Sequence, residues 1–261
     1  MAFKNTSEKI EQCIYNFFQE AKSAKIQYIV LCNYHKLPKK ISHDIDLLAP
    51  KSSVKDLEDI FLKVTDKLGL FLTRRYGEVA RNLTIEAYDW NAGGDYPRCA
   101  IHIKTFLVYN FPDQNWPTLI WAEDVINETM LKSINDIEIR ILKPELEFGL
   151  ILAQWLTKYD YNKMRYSSYL IELMDTKIIK RRLIKLFDQG DIEILRSALT
   201  KEGKEFKTVQ ENISWMSKEI LSSLDLRTGI ASIFFSSHKI LIVAFNWVLY
   251  RLKKSGNIYS F

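Results

Sequence analysis

Residues Tyr28–Pro50 read Y-I-V-L-C-N-Y-H-K-L-P-K-K-I-S-H-D-I-D-L-L-A-P, and the fold turns on how this stretch is read. An apolar run is followed by a polar, basic loop, and Asp44-Ile45-Asp46 then leads directly into Leu47 and Leu48. Alternate side chains of a strand share a face. A strand over 44–49 therefore points Asp44 and Asp46 one way and Ile45 and Leu47 the other. Two carboxylates on one face at the end of a half-buried strand repel each other, and a hard divalent cation such as Mg²⁺ relieves that repulsion. Such a pair suits an in-line displacement at phosphorus. A D-x-D pair also arises about once by chance in a chain of this size, usually in a solvated turn. Here the flanking Ile45, Leu47 and Leu48 favour the strand and the functional reading.

The chain of 261 residues is 47% hydrophobic and 26% charged, an ordinary globular composition with ample material for a core. Its net charge of +5 is compatible with phosphate-bearing ligands. Aromatic and basic residues are not interleaved as in a nucleic-acid readout module, so no strong nucleic-acid signal is present. Cys13, Cys32 and Cys99 lie inside apolar segments without C-x-x-C spacing and are expected to be buried free thiols. The N-terminus lacks an apolar signal region, which gives the expectation of a cytoplasmic protein.

Around the opening stretch, Ile10, Cys13, Ile14, Phe17, Phe18 and Ala21 recur at helical spacing over 6–22. A first strand is expected at 26–34 and a second at 44–49, with Pro38 interrupting between them. Ser52 or Ser53 is expected to cap a second helix, with Val54, Leu57, Ile60, Phe61, Val64 and Leu68 inward and Gly69 at its end. Three strand-like runs follow at Leu70–Tyr76, Leu83–Trp90 and Arg98–Tyr109. From Pro144 onward the pattern is helical, with candidate helices at Glu145–Tyr159, Ser167–Phe187, Ile192–Leu199, Val209–Leu224 and Ile230–Lys254. The expectation is an α+β protein: a mixed β-sheet domain over 1–142, then an all-α helical domain over 143–261. The apolar 230–250 tract is interrupted by Ser236–Lys239 and falls short of the roughly twenty residues of a bilayer span, so no transmembrane span is expected.

The order helix, strand, short turn, loop, acidic-x-acidic strand resembles the nucleotidyltransferase superfamily, the polymerase-β-like fold. The resemblance is closest to a bacterial subgroup with L-R-x-Y…L-P…D-I-D-L-L, a later h-h-I-D strand, a Trp-containing segment and a P-x-x-E helix. Here the corresponding residues are L-C-N-Y, D-I-D-L-L, I-H-I-K at 101–104, Trp116 and P-E-L-E at 144–147, so the likeness covers residues 1 to about 160. It implies a nucleotidyltransferase-like domain that uses Mg²⁺ to transfer a nucleotidyl or related phosphoryl ester group from a nucleoside triphosphate to a small-molecule acceptor, in surface polysaccharide metabolism. Asp44 and Asp46 would be catalytic and hold the metal; Asn33, His43, Arg75 and Lys104 would face the nucleotide. In such proteins a P-loop kinase-like domain often follows the helical region, with a first strand like the closing S-G-N-I-Y-S-F, so the resemblance implies either a fragment whose P-loop kinase-like domain lies beyond Phe261 or a truncated relative without it.

Two departures stand out. Cys32-Asn33 replaces the usual Gly-Ser or Gly-Gly of the turn. Lys104 occupies the third acidic position, and a lysine cannot ligate Mg²⁺. Lys104 either neutralises Asp44 and Asp46 without metal, leaving a catalytically degenerate module that binds a nucleotide or a partner protein, or contacts the phosphates of a working enzyme. Glu86 or Asp89 is a candidate for the missing third oxygen ligand. His102 alternates with Lys104 and lines the cleft or serves the fold; Arg74, Arg75 and Arg81 meet a triphosphate or form surface ion pairs. The basic run Lys177–Lys185 reads most simply as the solvated face of a helix.

Overall fold

The alternation of Ile45 and Leu47 with Asp46 and Leu48 is realised as a strand at the centre of a mixed sheet. The structure, a computed structural model, describes residues 6–31, 34, 37–38, 45–76, 83–89, 98–109, 118–157, 163–200 and 206–224. The strands are β1 (Ile29–Val30), β2 (Ile45–Leu48), β3 (Phe71–Tyr76), β4 (Leu83–Tyr88), β5 (Arg98–Lys104), β6 (Phe106–Tyr109), β7 (Thr118–Trp121), β8 (Thr129–Ile134) and β9 (Ile137–Leu142). Seven of them form one sheet in the order β3-β4-β5-β2-β1-β9-β8, and β6 pairs with β7 apart from it. Within the sheet β2–β5 and β1–β9 run parallel, and the other neighbours are antiparallel.

One face of the sheet is closed by α1 (Thr6–Ser23) and α2 (Lys51–Lys67). The apolar positions expected on α1, from Ile10 to Ala21, are all buried, and Phe17 meets Phe61 of α2 edge-on with ring centroids 5.7 Å apart. Val30, Ile45, Leu47, Ile85, Ile101, Ile103 and Ile139 supply the sheet side of that core. Cys13 and Cys99 are buried free thiols within it, and burial pushes the Cys13 thiol up to about 12. Cys32 lies outside the described residues. At the end of α2, Gly69 takes φ +60°, the left-handed conformation that a helix-terminating glycine adopts without strain. At its start, Ser52 and Ser53 are not the caps: the N-cap is Pro50, with no side-chain cap bond, and Ser53 is already inside the helix and buried. The Lys51 N–H instead donates to Glu123 Oε1 at 3.3 Å, from α3 (Ala122–Val125).

The last strand ends at Leu142, and α4 (Pro144–Thr157), α5 (Lys163–Asp175), α6 (Lys177–Leu186), α7 (Gln189–Thr200) and α8 (Phe206–Ser222) follow. The single helix expected over 167–187 is divided at Thr176, whose hydroxyl accepts from the Ile179 N–H at 3.4 Å and caps α6. Ile29, Leu48 and Leu142 reach from the sheet into the core of these helices, beside Trp155, Leu170 and Ile213. The basic run lies on α6, where Ile179 and Leu183 are buried while Lys177, Lys180, Arg181 and Lys185 are exposed, as the solvated-face reading requires. Among the described residues no helix is long and apolar enough to cross a membrane; the candidate helix Ile230–Lys254 lies outside them.

Two further sequence expectations are corrected. The run Arg98–Tyr109 is two strands, broken at Thr105, because β6 leaves the main sheet to pair with β7. The segment 129–142, for which no strand was expected, forms the β8–β9 hairpin. Asn135 and Asp136 turn it with φ +45° and +67°, values that asparagine and aspartate tolerate.

Candidate functional site

Because β2 and β5 run parallel in a fixed register, Asp46 stands opposite His102 and Leu48 opposite Lys104. Ile101 and Ile103 alternate with these residues and are buried on the α1–α2 side, which turns His102 and Lys104 onto the face that carries Asp46. Backbone contacts fix the strand on both sides. The Leu31 N–H donates to the Asp46 carbonyl at 3.0 Å, and the Ala49 N–H to the Lys104 carbonyl at 2.8 Å.

The side chains converge on one oxygen. Lys104 Nζ donates to Asp46 Oδ1 at 2.6 Å, and His102 Nδ1 lies 3.5 Å from the same atom. Burial pushes the Asp46 carboxyl up, but the hydrogen bond from His102 and the charge of Lys104 outweigh it and hold the group well below the usual carboxylate range. A depressed carboxyl contributes stability that is fully present above its unfolded value, about 3.9, and is lost progressively as pH falls from there through the lower folded value. Wild type should therefore exceed Asp46→Asn in stability at neutral pH, and the gap should begin to narrow below about pH 4. Urea unfolding of both forms at pH 7 and pH 3 measures this, and an equal gap at the two pH values contradicts the ion pair. A bare carboxylate pair implies the opposite sign, with asparagine stabilising; the cation on Asp46 reverses that expectation.

The remaining candidates separate by face. Glu86, on β4 two residues beyond the Thr84–His102 register pair, shares the Asp46 face and accepts from the hydroxyls of Tyr88 and, at 3.4 Å, Thr73. Asp89 turns to the opposite side, where Lys9 of α1 lies 3.4 Å away, so it does not supply the third oxygen. Arg74 also turns away, to Glu58 of α2 at 3.3 Å. Arg75 sits on β3 opposite Thr84. Asn33, His43, Asp44, Arg81 and Trp116 lie outside the described residues.

Mg²⁺ asks for near-octahedral oxygen ligands. Among the described residues no three His, Cys, Asp or Glu side chains gather to hold a metal ion. Among the described residues, an imidazole and an ammonium stand at Asp46, and neither is an oxygen ligand for Mg²⁺. What the cluster can do is present cationic and N–H donors to an anion beside a neutralised carboxylate.

Sequence reasoning took Glu147 only as the closing residue of the P-E-L-E motif and gave it no partner. Glu147, in the first turns of α4, is buried and accepts from the Tyr34 hydroxyl at 2.7 and 2.8 Å and from the Tyr169 hydroxyl at 2.9 Å. Burial pushes the Glu147 carboxyl up, and these bonds with the charge of Lys132 only partly counter it. The signal was available: a lone acid within L-E-F-G-L-I-L-A needs an internal partner.

No family model matches the chain, and no curated protein matches it. Among solved structures it is similar to an antigenic nucleotidyltransferase-like protein from Paracoccidioides brasiliensis, with 13% identity over 88% of this chain and 98% of that one and a TM-score of 0.40. A likeness this slight decides nothing about the site.

Proposed function

We propose that this is a nucleotidyltransferase-like protein of the cytoplasm in which Lys104 serves as a built-in counter-cation at Asp46, leaving a module that binds a nucleotide with weak or absent transferase activity. The 2.6 Å contact between Lys104 Nζ and Asp46 Oδ1 carries this reading. In the superfamily that the sequence resembles, the carboxylate at this place holds a metal; here an ammonium that has donors and no acceptor occupies it. Among the described residues the ammonium spends one of its three N–H groups on Asp46, and the others are what a phosphate oxygen would meet; the net charge of +5 draws anions toward the protein.

Calorimetric titration tests it. ATP is expected to bind without metal, Mg²⁺ alone is expected to give little heat, and Lys104→Met is expected to weaken ATP binding about tenfold, the loss of one charge-assisted contact. Tight Mg²⁺ binding by wild type in the absence of nucleotide overturns the proposal. It would favour the second reading, a Mg²⁺-dependent transfer of a nucleotidyl group to a small acceptor in surface polysaccharide metabolism. The observation behind that second reading is that Asp46 lies on a strand with Asp44 two residues before it in sequence.

A further inference from the structure

Tyr34 and Leu37, which follow β1, are tied down from several directions. Tyr34, 1% exposed, donates to both Glu147 oxygens, and Tyr169 of α5 donates to one of them. Lys132 of β8 lies over the Tyr34 ring, 5.0 Å from its centroid. The Leu37 N–H donates to the Tyr34 carbonyl at 3.1 Å, and Asn135 Nδ2, from the β8–β9 turn, donates to the Leu37 carbonyl at 2.7 Å. Three residues before Tyr34, the Leu31 N–H meets the Asp46 carbonyl. Stability alone is a weak reason for such a centre, since apolar residues of similar volume fill a core at equal or lower cost. A carboxyl group offers what they lack: two oxygens at a fixed spacing that hold a hydroxyl in one place.

We infer that Glu147 is a positioning residue that acts through Tyr34, holding the chain beyond β1 against α4 so that the Leu31–Asp46 contact keeps the Asp46 carboxylate in register with His102 and Lys104. Among the described residues the groups facing Glu147 are the hydroxyls of Tyr34 and Tyr169 and the ammonium of Lys132. Of these the hydroxyls are neutral: burial pushes the Tyr34 hydroxyl far up, so it remains a donor throughout the working range. The carboxyl and its amide isostere both accept from it, and that sets the design of the test.

The role rests on reading Asp46 as the centre of the site, so the first measurement uses no ligand. Amide hydrogen exchange is followed at Leu31 and Leu37, with Leu183 of α6 as an internal reference, in wild type, Tyr34→Phe, Glu147→Gln and Glu147→Ala. Tyr34→Phe and Glu147→Ala are expected to speed exchange at Leu31 and Leu37 about tenfold while Leu183 is unchanged, the pattern of a local opening rather than general loosening. Glu147→Gln, which keeps an acceptor of the same shape, is expected to restore wild-type rates. The role is refuted if Tyr34→Phe exchanges like wild type, if the glutamine variant is as fast as the alanine one, or if Leu183 accelerates equally. ATP affinity, measured next, is expected to fall in Tyr34→Phe and to be kept in Glu147→Gln. Absence of ATP binding in wild type would count against the nucleotide reading alone and leave the exchange result standing.

Discussion

Lys104→Asp is expected to invert the chemistry of the Asp46 site, lowering the melting temperature without metal and creating a Mg²⁺-dependent rise. The wild-type carboxylate has an ammonium at 2.6 Å, and the exchange removes that cation and adds a like charge across the β2–β5 register. Removing one partner of a fully buried pair costs about 3–5 kcal/mol. Asp46 and Lys104 keep 22% and 30% side-chain exposure, which reduces the expected loss to roughly 1–3 kcal/mol through solvent screening. The new carboxylate supplies the oxygen that Mg²⁺ lacks, and binding at a hundredfold excess over Kd returns about 2.7 kcal/mol. Thermal melts of both proteins with and without Mg²⁺ read the two effects separately. Identical melts under all four conditions would mean that Lys104 does not govern the site.

Gly149→Leu should be among the most damaging single changes in the helical region, at about 3 kcal/mol. Gly149 lies where α4 crosses α8: a Cβ built there sits 2.9 Å from Leu221 Cδ2 and 3.1 Å from Ile220 Cγ2, and both neighbours are packed in the core. The Gly149 carbonyl also accepts from Ser217 Oγ at 3.4 Å, a contact that needs the helices close. A leucine forces them apart, and overpacking of this kind costs about 1–3 kcal/mol or more. Gly149→Ala, by contrast, should be near neutral, because the gain in helix propensity of about 1 kcal/mol offsets a small shift of Leu221. Urea unfolding of both variants checks the contrast; a leucine variant as stable as the alanine one would place α8 elsewhere.

Where periodicity was long and one-sided, the sequence was legible. The apolar face of α1, the inward face of α2 and the alternation of I-H-I-K all appear as read, and so does the placing of Lys104 beside Asp46. Short elements were lost for a physical reason. Residues 118–121 offer only four positions, too few for a period to emerge. The hairpin at 129–142 is half exposed along β8, where Met130 and Leu131 face solvent and spoil the alternation; only the Asn135-Asp136 turn and the clean I-E-I-R-I of β9 announced it. Partners such as Tyr34 and Glu147 are separated by 113 residues and become neighbours only through the fold. The sequence asked for a partner to Glu147 without naming one.

The position of β1 between β2 and β9 has a consequence for biosynthesis. Val30 pairs with Ile141, about 110 residues downstream, and at a typical elongation rate of about 5–20 residues per second the outer edge of β1 waits roughly 5–20 s for its neighbour. Asp46 waits about half as long for Lys104. During that interval an apolar strand edge and an unneutralised carboxylate wait while the elements between β1 and β9 are still being made. The centre of the site is thus begun well before it is closed.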